Sequence, residues 1–368
     1  MIASYIAYME KIFQYEQLYT FTNAVFISMG CSFEHAEIAT KVLLSAYLRG
    51  IDSHGVARLS GYVRLWQAGR INSKPTIKII HETPSTAVVD GGQGLGLVVA
   101  PFAMEIAMQK ASAVGTGWVA VQNSNHFGIA GYHAMMALEK DMIGMAMTNA
   151  SALVAPTFSV EKMLGTNPIA VAIPAQEQPP FVADFATTTA ANGKLEILQR
   201  KGQDAPIGWV QDHDGNASAD ANILKKEGSL LPLGSDREHG SHKGYALGSI
   251  VDIFSAVLSG AAYGPWVPPF PAYIPMPENM PGKGLGHFLG AMRVDAFRPA
   301  AEFKSHMDHW INRFRNAQPI QGKEKVLIPG DPERKMEFER MKKGIPLLTV
   351  VIEDLEKTGE IFGIKLNQ

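Results

Sequence analysis

The 368-residue sequence predicts an α/β fold, and three observations support that prediction. Apolar side chains recur at helical spacing in the first 75 residues, whereas from Ile77 onward short β-rich runs alternate with helical segments. Hydrophobic residues make up 46% of the chain and charged residues 18%, as in a globular protein with a sizeable core. The 35 glycines and 22 prolines predict many tight turns, as in enzymes whose sites are built from loops.

Charge and cysteine content exclude several classes of protein. The net charge is −2 and no basic block occurs, so nucleic-acid binding has no electrostatic support. Cys31 is the only cysteine, which excludes an intrachain disulfide and a cysteine-based metal cluster and fits a reducing compartment. The opening segment has no basic region, and no uninterrupted apolar run of about 18 residues occurs. We therefore expect a cytoplasmic protein with no membrane span.

The N-terminal region begins with two predicted helices. Residues 14–29 place Leu18, Phe21 and Val25 on one face, and Gly30 ends that helix. Ser32 is a suitable N-cap for a second helix over residues 33–50.

A third helix is predicted between Ser53 and Gly69. Asp52 and Ser53 are good N-cap residues and Gly69 is a good C-terminal residue, so a helix of about 15 residues fits between them. Gly55 is unfavourable in a first helical turn and indicates that another group approaches the backbone closely there.

On that helix His54, Arg58 and Tyr62 would lie at i, i+4 and i+8, on a single face. Arginine can bind a carboxylate bidentately, and histidine can exchange a proton with the oxygen on the neighbouring carbon. The row therefore suits a small carboxylate substrate, although a solvated helical stripe would have the same spacing.

The β-rich region begins with strands predicted at residues 77–81 and 86–90, followed by a glycine run at 91–96 and an apolar helix to about 113. The run reads G-G-x-G-x-G rather than G-x-G-x-x-G, and no acidic strand end follows about 20 residues later. The segment therefore fails the test for a Rossmann dinucleotide site.

Four further strands are each followed by a loop of small and polar residues. They are predicted at residues 117–121, 143–148, 169–173 and 181–183, with His126, Ser151 and Asp184 in or near the loops. Such repetition suits a ligand lying along the ends of a sheet, and four ordinary hydrophilic turns are the alternative.

The C-terminal half alternates helices with loops. A helix after residue 191 precedes a surface excursion at 210–232. Lys243 and Gly244 stand at the start of a helix over 246–259, and either an anion or solvent alone could occupy that helix start. The proline-rich segment 264–285 suits a lid, a dimer contact or a disordered loop. A strand at 288–294, helices at 299–316 and 332–342 and a strand at 346–352 complete the chain.

Other chemistries have weak motifs. The pairs His239/His242 and His306/His309 have ligand-like spacing, but neither belongs to a metal motif, and we interpret both as surface residues without a metal. No G-x-S-x-G nucleophile motif occurs.

Eight segments in collinear order resemble the type 2 malate/L-lactate dehydrogenase family. They are LRGIDSHGVARLSGY, DGGQGLG, QNSNHFGIAGYHA, MTNASALVAP, GTNPIAVAIP, DFATTTAANGK, HKGYALGSIVDIFSAVLSG and VLIPGDPE. The resemblance implies an α/β but non-Rossmann NAD(P)-binding domain on a largely antiparallel or mixed sheet, in a homodimer. We expect that domain at residues 76–330, beside a helical N-terminal region, 1–75, packed with residues 331–368.

The resemblance also assigns roles position by position. It makes His54 and His126 the catalytic candidates. The substrate-binding candidates are Arg58, Tyr62 and Ser151. The cofactor-binding candidates are Ala150, Asp184, Phe185, Ala186, Lys243, Gly244, Gly330 and Asp331.

The expected function is hydride transfer between a nicotinamide cofactor and a small 2-hydroxy or 2-oxo acid. NAD or NADP is expected, with NAD favoured. Loop 149–153 reads NASAL where the family more often has Ser-Ser-Pro, which bears on substrate fit. Reduction of a cyclic imino acid and a non-catalytic binding protein of the same fold are the alternatives.

Overall fold

The computed structural model describes residues 10–367. Residues 1–9 and 368, which belong to the ranges predicted for the helical region and its C-terminal partner, lie outside the described residues. The strands are β1 (Glu10–Phe13), β2 (Lys78–Glu82), β3 (Thr86–Asp90), β4 (Thr116–Ser124), β5 (Met142–Thr148), β6 (Ile169–Ile173), β7 (Phe181–Phe185), β8 (Val210–Gln211), β9 (Ala217–Ser218), β10 (Ser229–Leu230), β11 (Leu285–Arg293) and β12 (Ile345–Leu348).

The α-helices follow the predicted order closely. They are α1 (Tyr15–Ser28), α2 (Phe33–Leu48), α3 (Leu59–Gln67), α4 (Gly96–Val114), α5 (Ala130–Met135), α6 (Asn192–Arg200), α7 (Ser241–Asp252), α8 (Ala300–Arg315), α9 (Asp331–Lys343) and α10 (Thr349–Glu360). Helix α7 starts five residues before the predicted Ala246 and continues as a π-helical turn, Ile253–Val257.

A seven-stranded mixed sheet in the order β2-β3-β4-β11-β5-β6-β7 forms the centre of the molecule. Only β3 and β4 pair in parallel, and the other neighbours in this sheet are antiparallel. The expected largely antiparallel, non-Rossmann sheet is therefore confirmed.

The glycine run after β3 serves close packing of two loops. A Cβ atom on Gly96 would lie 2.0 Å from the Asn125 carbonyl oxygen, so only glycine lets the start of α4 approach the loop that carries His126. Helix α4 is long and apolar enough to cross a membrane, but most of it is buried, and it packs on β4 and β11.

One apolar core joins the N-terminal helices to the C-terminal segment. Leu18, Leu43 and Leu59 share it with Ile345 and Leu355, all of them fully buried. The domain boundaries themselves stay a prediction.

The predicted strand over 346–352 is wrong beyond Leu348. Strand β12 pairs with β1, which the sequence analysis did not predict, and the chain then turns into helix α10. The β-branched run Thr349–Ile352 favours a strand locally. Packing of α10 against α3 overrides that preference because it buries Val351 and Ile352.

The surface excursion predicted at residues 210–232 has a small core of its own. Strands β8, β9 and β10 form a three-stranded sheet, and Val210, Ile223 and Leu230 are buried beneath it. These strands are too short for their alternation of apolar and polar residues to be recognised in the sequence.

Candidate active site

The segment around His54 is two short turns and a helix, and the continuous helix predicted there is wrong. Residues Asp52–His54 and Val56–Arg58 each form a 3₁₀ turn, and α3 begins only at Leu59. Gly55 lies between the turns because a Cβ atom there would come within 1.8 Å of the Tyr47 ring. The group that approaches Gly55 is therefore a core side chain.

His54 and His126 lie face to face. Their ring centroids are 5.7 Å apart and the ring planes differ by 22°. The Ser53 hydroxyl lies 2.8 Å from Nδ1 of His54 and orients that ring. The two histidines are thus brought together from segments 72 positions apart, 54 and 126.

Tyr62 fixes the tautomer of His126. Its hydroxyl lies 2.6 Å from Nδ1 of His126, and the Gly128 backbone N–H also donates to that nitrogen, at 3.3 Å. Burial raises the pKa of Tyr62, so the phenol keeps its proton and donates it. A neutral His126 therefore accepts at Nδ1 and carries its hydrogen on Nε2.

Both histidines are neutral at physiological pH. Burial, followed by the nearby charge of Arg58, lowers the pKa of His54 to about 4. Burial also lowers the pKa of His126 well below its ordinary value, with His54 and Arg58 contributing. A neutral imidazole can accept a proton, which is what oxidation of an alcohol requires.

A cavity of about 520 Å³ opens beside this pair, within the size range of small-molecule sites. Its lining includes His54, the β7 end and residues from the start of α6. These residues include Ser53, His54, Ile129, Thr166, Pro168, Asp184, Phe185, Ala186, Thr188, Lys194 and Glu333. The predicted set Asp184, Phe185 and Ala186 is thus in the cavity wall.

Asp184 is the central acidic group of this cavity. Its Oδ2 accepts the Gly131 backbone N–H at 2.8 Å. Desolvation by the surrounding protein raises the pKa of Asp184 to about 6, although the residue is exposed at the cavity wall. Phe185 beside it is 41% exposed, which leaves an aromatic face open for a ligand ring.

Arg58 points away from this cavity. Its guanidinium is within 3.3 Å of Glu196 and its Nε donates to the Ser53 carbonyl at 2.6 Å. It lines a second cavity of about 520 Å³ with Glu196, Arg64 and Lys201. Binding of a substrate carboxylate by Arg58 would therefore require the ion pair with Glu196 to open.

Ala150 and Ser151 hold neighbouring loops and do not line the main cavity. The Ala150 backbone N–H donates to Oδ1 of Asn167 at 3.1 Å. The Ser151 hydroxyl accepts the Phe270 backbone N–H at 2.9 Å. Ser151 thereby anchors the proline-rich segment.

Phe270, which the sequence analysis did not single out, covers His126 and Tyr62. Its ring centroid is 4.9 Å from that of His126 and 5.4 Å from that of Tyr62. Arg70 donates to the Pro269 carbonyl and holds the backbone beside it. The proline-rich segment 264–285, predicted as a lid, a dimer contact or a disordered loop, packs over Tyr62 and His126 at this point.

Lys243 and Gly244 lie behind the cavity wall. A Cβ on Gly244 would be 2.3 Å from the carbonyl oxygen of Leu233, which lines the cavity, so this glycine permits close packing. Lys243 is exposed in the first turn of α7 and is not among the lining residues.

Gly330 and Asp331 form the start of α9. Gly330 has φ of +95°, a conformation that favours glycine. Asp331 lies 2.7 Å from Arg334 and 3.1 Å from Arg315, and it accepts the Ile328 N–H at 3.0 Å. These two residues hold the helix start, whereas Glu333 reaches the cavity.

The histidine pairs considered as metal ligands have other partners. His239 lies 2.7 Å from Asp236, and His309 lies 2.9 Å from the Ser305 carbonyl. Between residues 10 and 367, no three His, Cys, Asp or Glu side chains form a group that could hold a metal ion.

Comparison with known proteins gives a consistent result. A sequence profile of the family described as malate/L-lactate dehydrogenase matches residues 13–356. The malate dehydrogenase of Pyrococcus abyssi is 42% identical over 351 residues, covering 95% of this chain and 94% of that protein. The L-sulfolactate dehydrogenase of Methanocaldococcus jannaschii is 40% identical, covering 83% of this chain and 85% of its own.

Comparison of the fold with solved structures agrees with the comparison of sequences. The crystal structure of malate dehydrogenase from Entamoeba histolytica superimposes with a TM-score of 0.91 at 33% identity, over 98% of this chain and all of that one.

Proposed function

This chain belongs to the malate/L-lactate dehydrogenase family of 2-hydroxy acid dehydrogenases, and we propose that it uses NAD or NADP as its hydride carrier. The observation that carries the proposal is the neutral His54/His126 pair at the edge of a cavity that ends at Asp184 and Phe185. Malate and sulfolactate, named for two relatives, are the proposed substrates. Each has a second anionic group besides its C1 carboxylate.

The cavity residues fit a nicotinamide. Phe185 and Pro168 offer apolar surface to a flat ring, and Asp184 and Thr188 offer hydrogen-bonding groups to an amide and a ribose. When bound, the cofactor would accept hydride from C2 of the hydroxy acid or return it to the oxo acid. Contacts from Ala150, Lys243, Gly244, Gly330 and Asp331 stay predictions.

We assign the proton transfer to His54 because it is the histidine that lines the cavity. In the oxidative direction its neutral imidazole takes the C2 hydroxyl proton. The reductive direction requires the imidazolium, which is only a small fraction of His54 at physiological pH, to return that proton. His126 packs against that ring, and Tyr62 holds His126 in one tautomer. Positioned acid–base catalysis of this kind contributes about 10²–10⁴-fold to the rate.

The sequence-derived role of Arg58, binding the C1 carboxylate, remains part of the proposal. Its charge already influences His54 and His126 through space, so it lies near the reacting centre. A homodimer and a cytoplasmic location, both expected from the sequence, also remain proposals. Light scattering of the purified protein would test the dimer.

The test of function is a spectrophotometric assay of the purified chain. NAD⁺ and NADP⁺ are each scanned with L-malate, L-sulfolactate and L-lactate, and NADH and NADPH with oxaloacetate and a cyclic imino acid. We expect turnover of at least one hydroxy acid. Turnover of the imine alone would transfer the chain to the alternative reaction, and no nicotinamide binding in a thermal-shift assay would overturn the proposal.

A further inference from the structure

Lys194 is the one lysine or arginine among the described residues that line the cavity beside His54. It lies in the first turn of α6 and its side chain is exposed. The ring of Trp209 is 5.8 Å from its Nζ, at the outer range of a cation–π contact. Within residues 10–367 no carboxylate oxygen lies within 4.0 Å of that ammonium.

The position of Lys194 follows from close packing at Gly193. A Cβ atom on Gly193 would lie 2.3 Å from Cβ of Ser53, so only glycine lets the start of α6 rest on the turn that carries His54. Gly193 itself faces the second cavity, whereas Lys194 faces the main one. Lys194, on α6, therefore lines the same cavity as His54, which lies on the 3₁₀ turn packed against α6.

The neighbouring cation on this face is already neutralised. Glu196, two residues further along α6, receives Arg58 at 3.3 Å and the Asn192 amide at 2.9 Å. Glu196 is thus engaged by other groups, and no ion pair with Lys194 occurs among the described residues, so the lysine charge stays available. The acidic residues of the cavity lining are Asp184 and Glu333, and each would repel an anion from the part of the cavity beside it.

We infer that Lys194 binds the second anionic group, a carboxylate or sulfonate, of a dianionic 2-hydroxy acid. This inference rests on the proposed function and adds the substrate class to it. The C1 carboxylate and C2 hydroxyl are common to all 2-hydroxy acids, so Lys194 is a specificity residue that separates malate-like from lactate-like substrates. We expect Lys194 to contribute to the binding free energy about as much as one hydrogen bond to a charged group.

The experiment compares Lys194→Met and Lys194→Arg with the unmodified protein, using L-malate and L-lactate in turn. We expect Lys194→Met to raise KM for malate about 10- to 100-fold and to leave KM for lactate and for the cofactor unchanged. Lys194→Arg should restore most of the malate affinity. Lys201→Met, a lysine at the other end of α6 in the second cavity, is the matched control.

The outcomes separate this inference from the proposed function. Equal loss on malate and lactate with a raised KM for NAD⁺ would assign Lys194 to a cofactor phosphate and overturn the inference. Unchanged malate kinetics would overturn it too. Absence of nicotinamide-linked turnover in the unmodified protein would instead disprove the proposed function, on which the inference about Lys194 rests.

Discussion

At the scale of single residues, the proposed chemistry depends on two imidazoles being neutral. His54 and His126 are each enclosed by protein, and each lies near the fixed charge of Arg58, so protonation of either is unfavourable. Tyr62 contributes a hydrogen bond that only a protonated phenol can donate to Nδ1. The site is therefore ready to accept a proton without a preceding deprotonation.

The first prediction concerns the pH dependence of hydroxy-acid oxidation. Since His54 must be neutral to act as the base and its pKa is lowered to about 4, kcat/KM should stay level as pH falls from 7 and decline only near pH 4. His54→Asn should lower kcat about 10²–10⁴-fold and abolish this limb. Steady-state rates across that pH range would measure both.

His306→Asn, on the exposed face of α8, is the control and should reproduce the unmodified profile. An acidic limb at pH 6.5, the ordinary histidine value, would mean that burial does not lower the pKa of the proposed base as described.

At the scale of elements, the proline-rich segment covers His126 and Tyr62. Phe270 packs on Tyr62 and His126, and its backbone is held by Ser151 and, at the neighbouring residue, by Arg70. A Cβ atom on Gly61 would meet the Phe270 ring at 2.6 Å, so that glycine lets the ring sit directly on α3. The cover keeps water from the Tyr62–His126 hydrogen bond.

The second prediction is that Phe270→Ala admits water to this hydrogen bond. The pKa of His126 should then rise toward its ordinary value, and kcat should fall about tenfold as the Tyr62 contact loosens. The half-buried ring also contributes to stability, so unfolding should become easier by about 2 kcal/mol. The ring-proton NMR shifts of His126 against pH, together with urea denaturation, would show both effects.

Tyr273→Ala is the matched control on the same segment, because that side chain is 85% exposed. If Phe270→Ala behaved like Tyr273→Ala in both measurements, the covering role of the segment would be disproved.

At the scale of the whole molecule, further neutral histidines lie in the sheet core. His287 on β11 lies between the hydroxyls of Thr148 and Ser124, at 2.7 and 2.8 Å. His133 lies 2.9 Å from the Phe127 carbonyl oxygen, and the Phe127 ring packs against both histidines. Burial lowers the pKa of His133 to about 4, against the opposing effect of its hydrogen bond to the Phe127 carbonyl. Burial, followed by the nearby His133, lowers the pKa of His287 to about 3.

The third prediction is a loss of stability in mild acid. Because these folded-state pKa values lie below the unfolded value of about 6.5, the stability that each group contributes is complete above pH 6.5 and declines as pH falls toward 4 and 3. At pH 5 each should cost about 2 kcal/mol. Urea denaturation at pH 7.5 and pH 5.0 would measure the difference.

The raised pKa values of Asp184 and Asp252 work in the opposite sense, since a protonated carboxyl is favoured in the folded state. We expect the histidines to dominate because both are fully buried, whereas Asp184 faces the cavity. Equal midpoints at the two pH values would contradict this expectation.

The sequence alone was sufficient for much of the element order and for the family. Helical and strand periodicity is local, so β3, β6, α1 and α8 lie within one residue of their predicted bounds. It failed where packing overrides local preference. The turn at Gly55 is set by close contact with the Tyr47 ring, and helix α10 forms because its apolar side chains pack into the core beneath it.

Which residues could perform the chemistry was determined by the sequence, because imidazole, guanidinium and carboxylate groups have fixed capacities wherever they lie. Where each side chain points was decided by the tertiary structure. Arg58 meets Glu196 and Ser151 meets Phe270 across separations of 138 and 119 residues, and no local pattern encodes such contacts. Lys194, unremarkable in the sequence, enters the cavity because Gly193 lets α6 rest against Ser53.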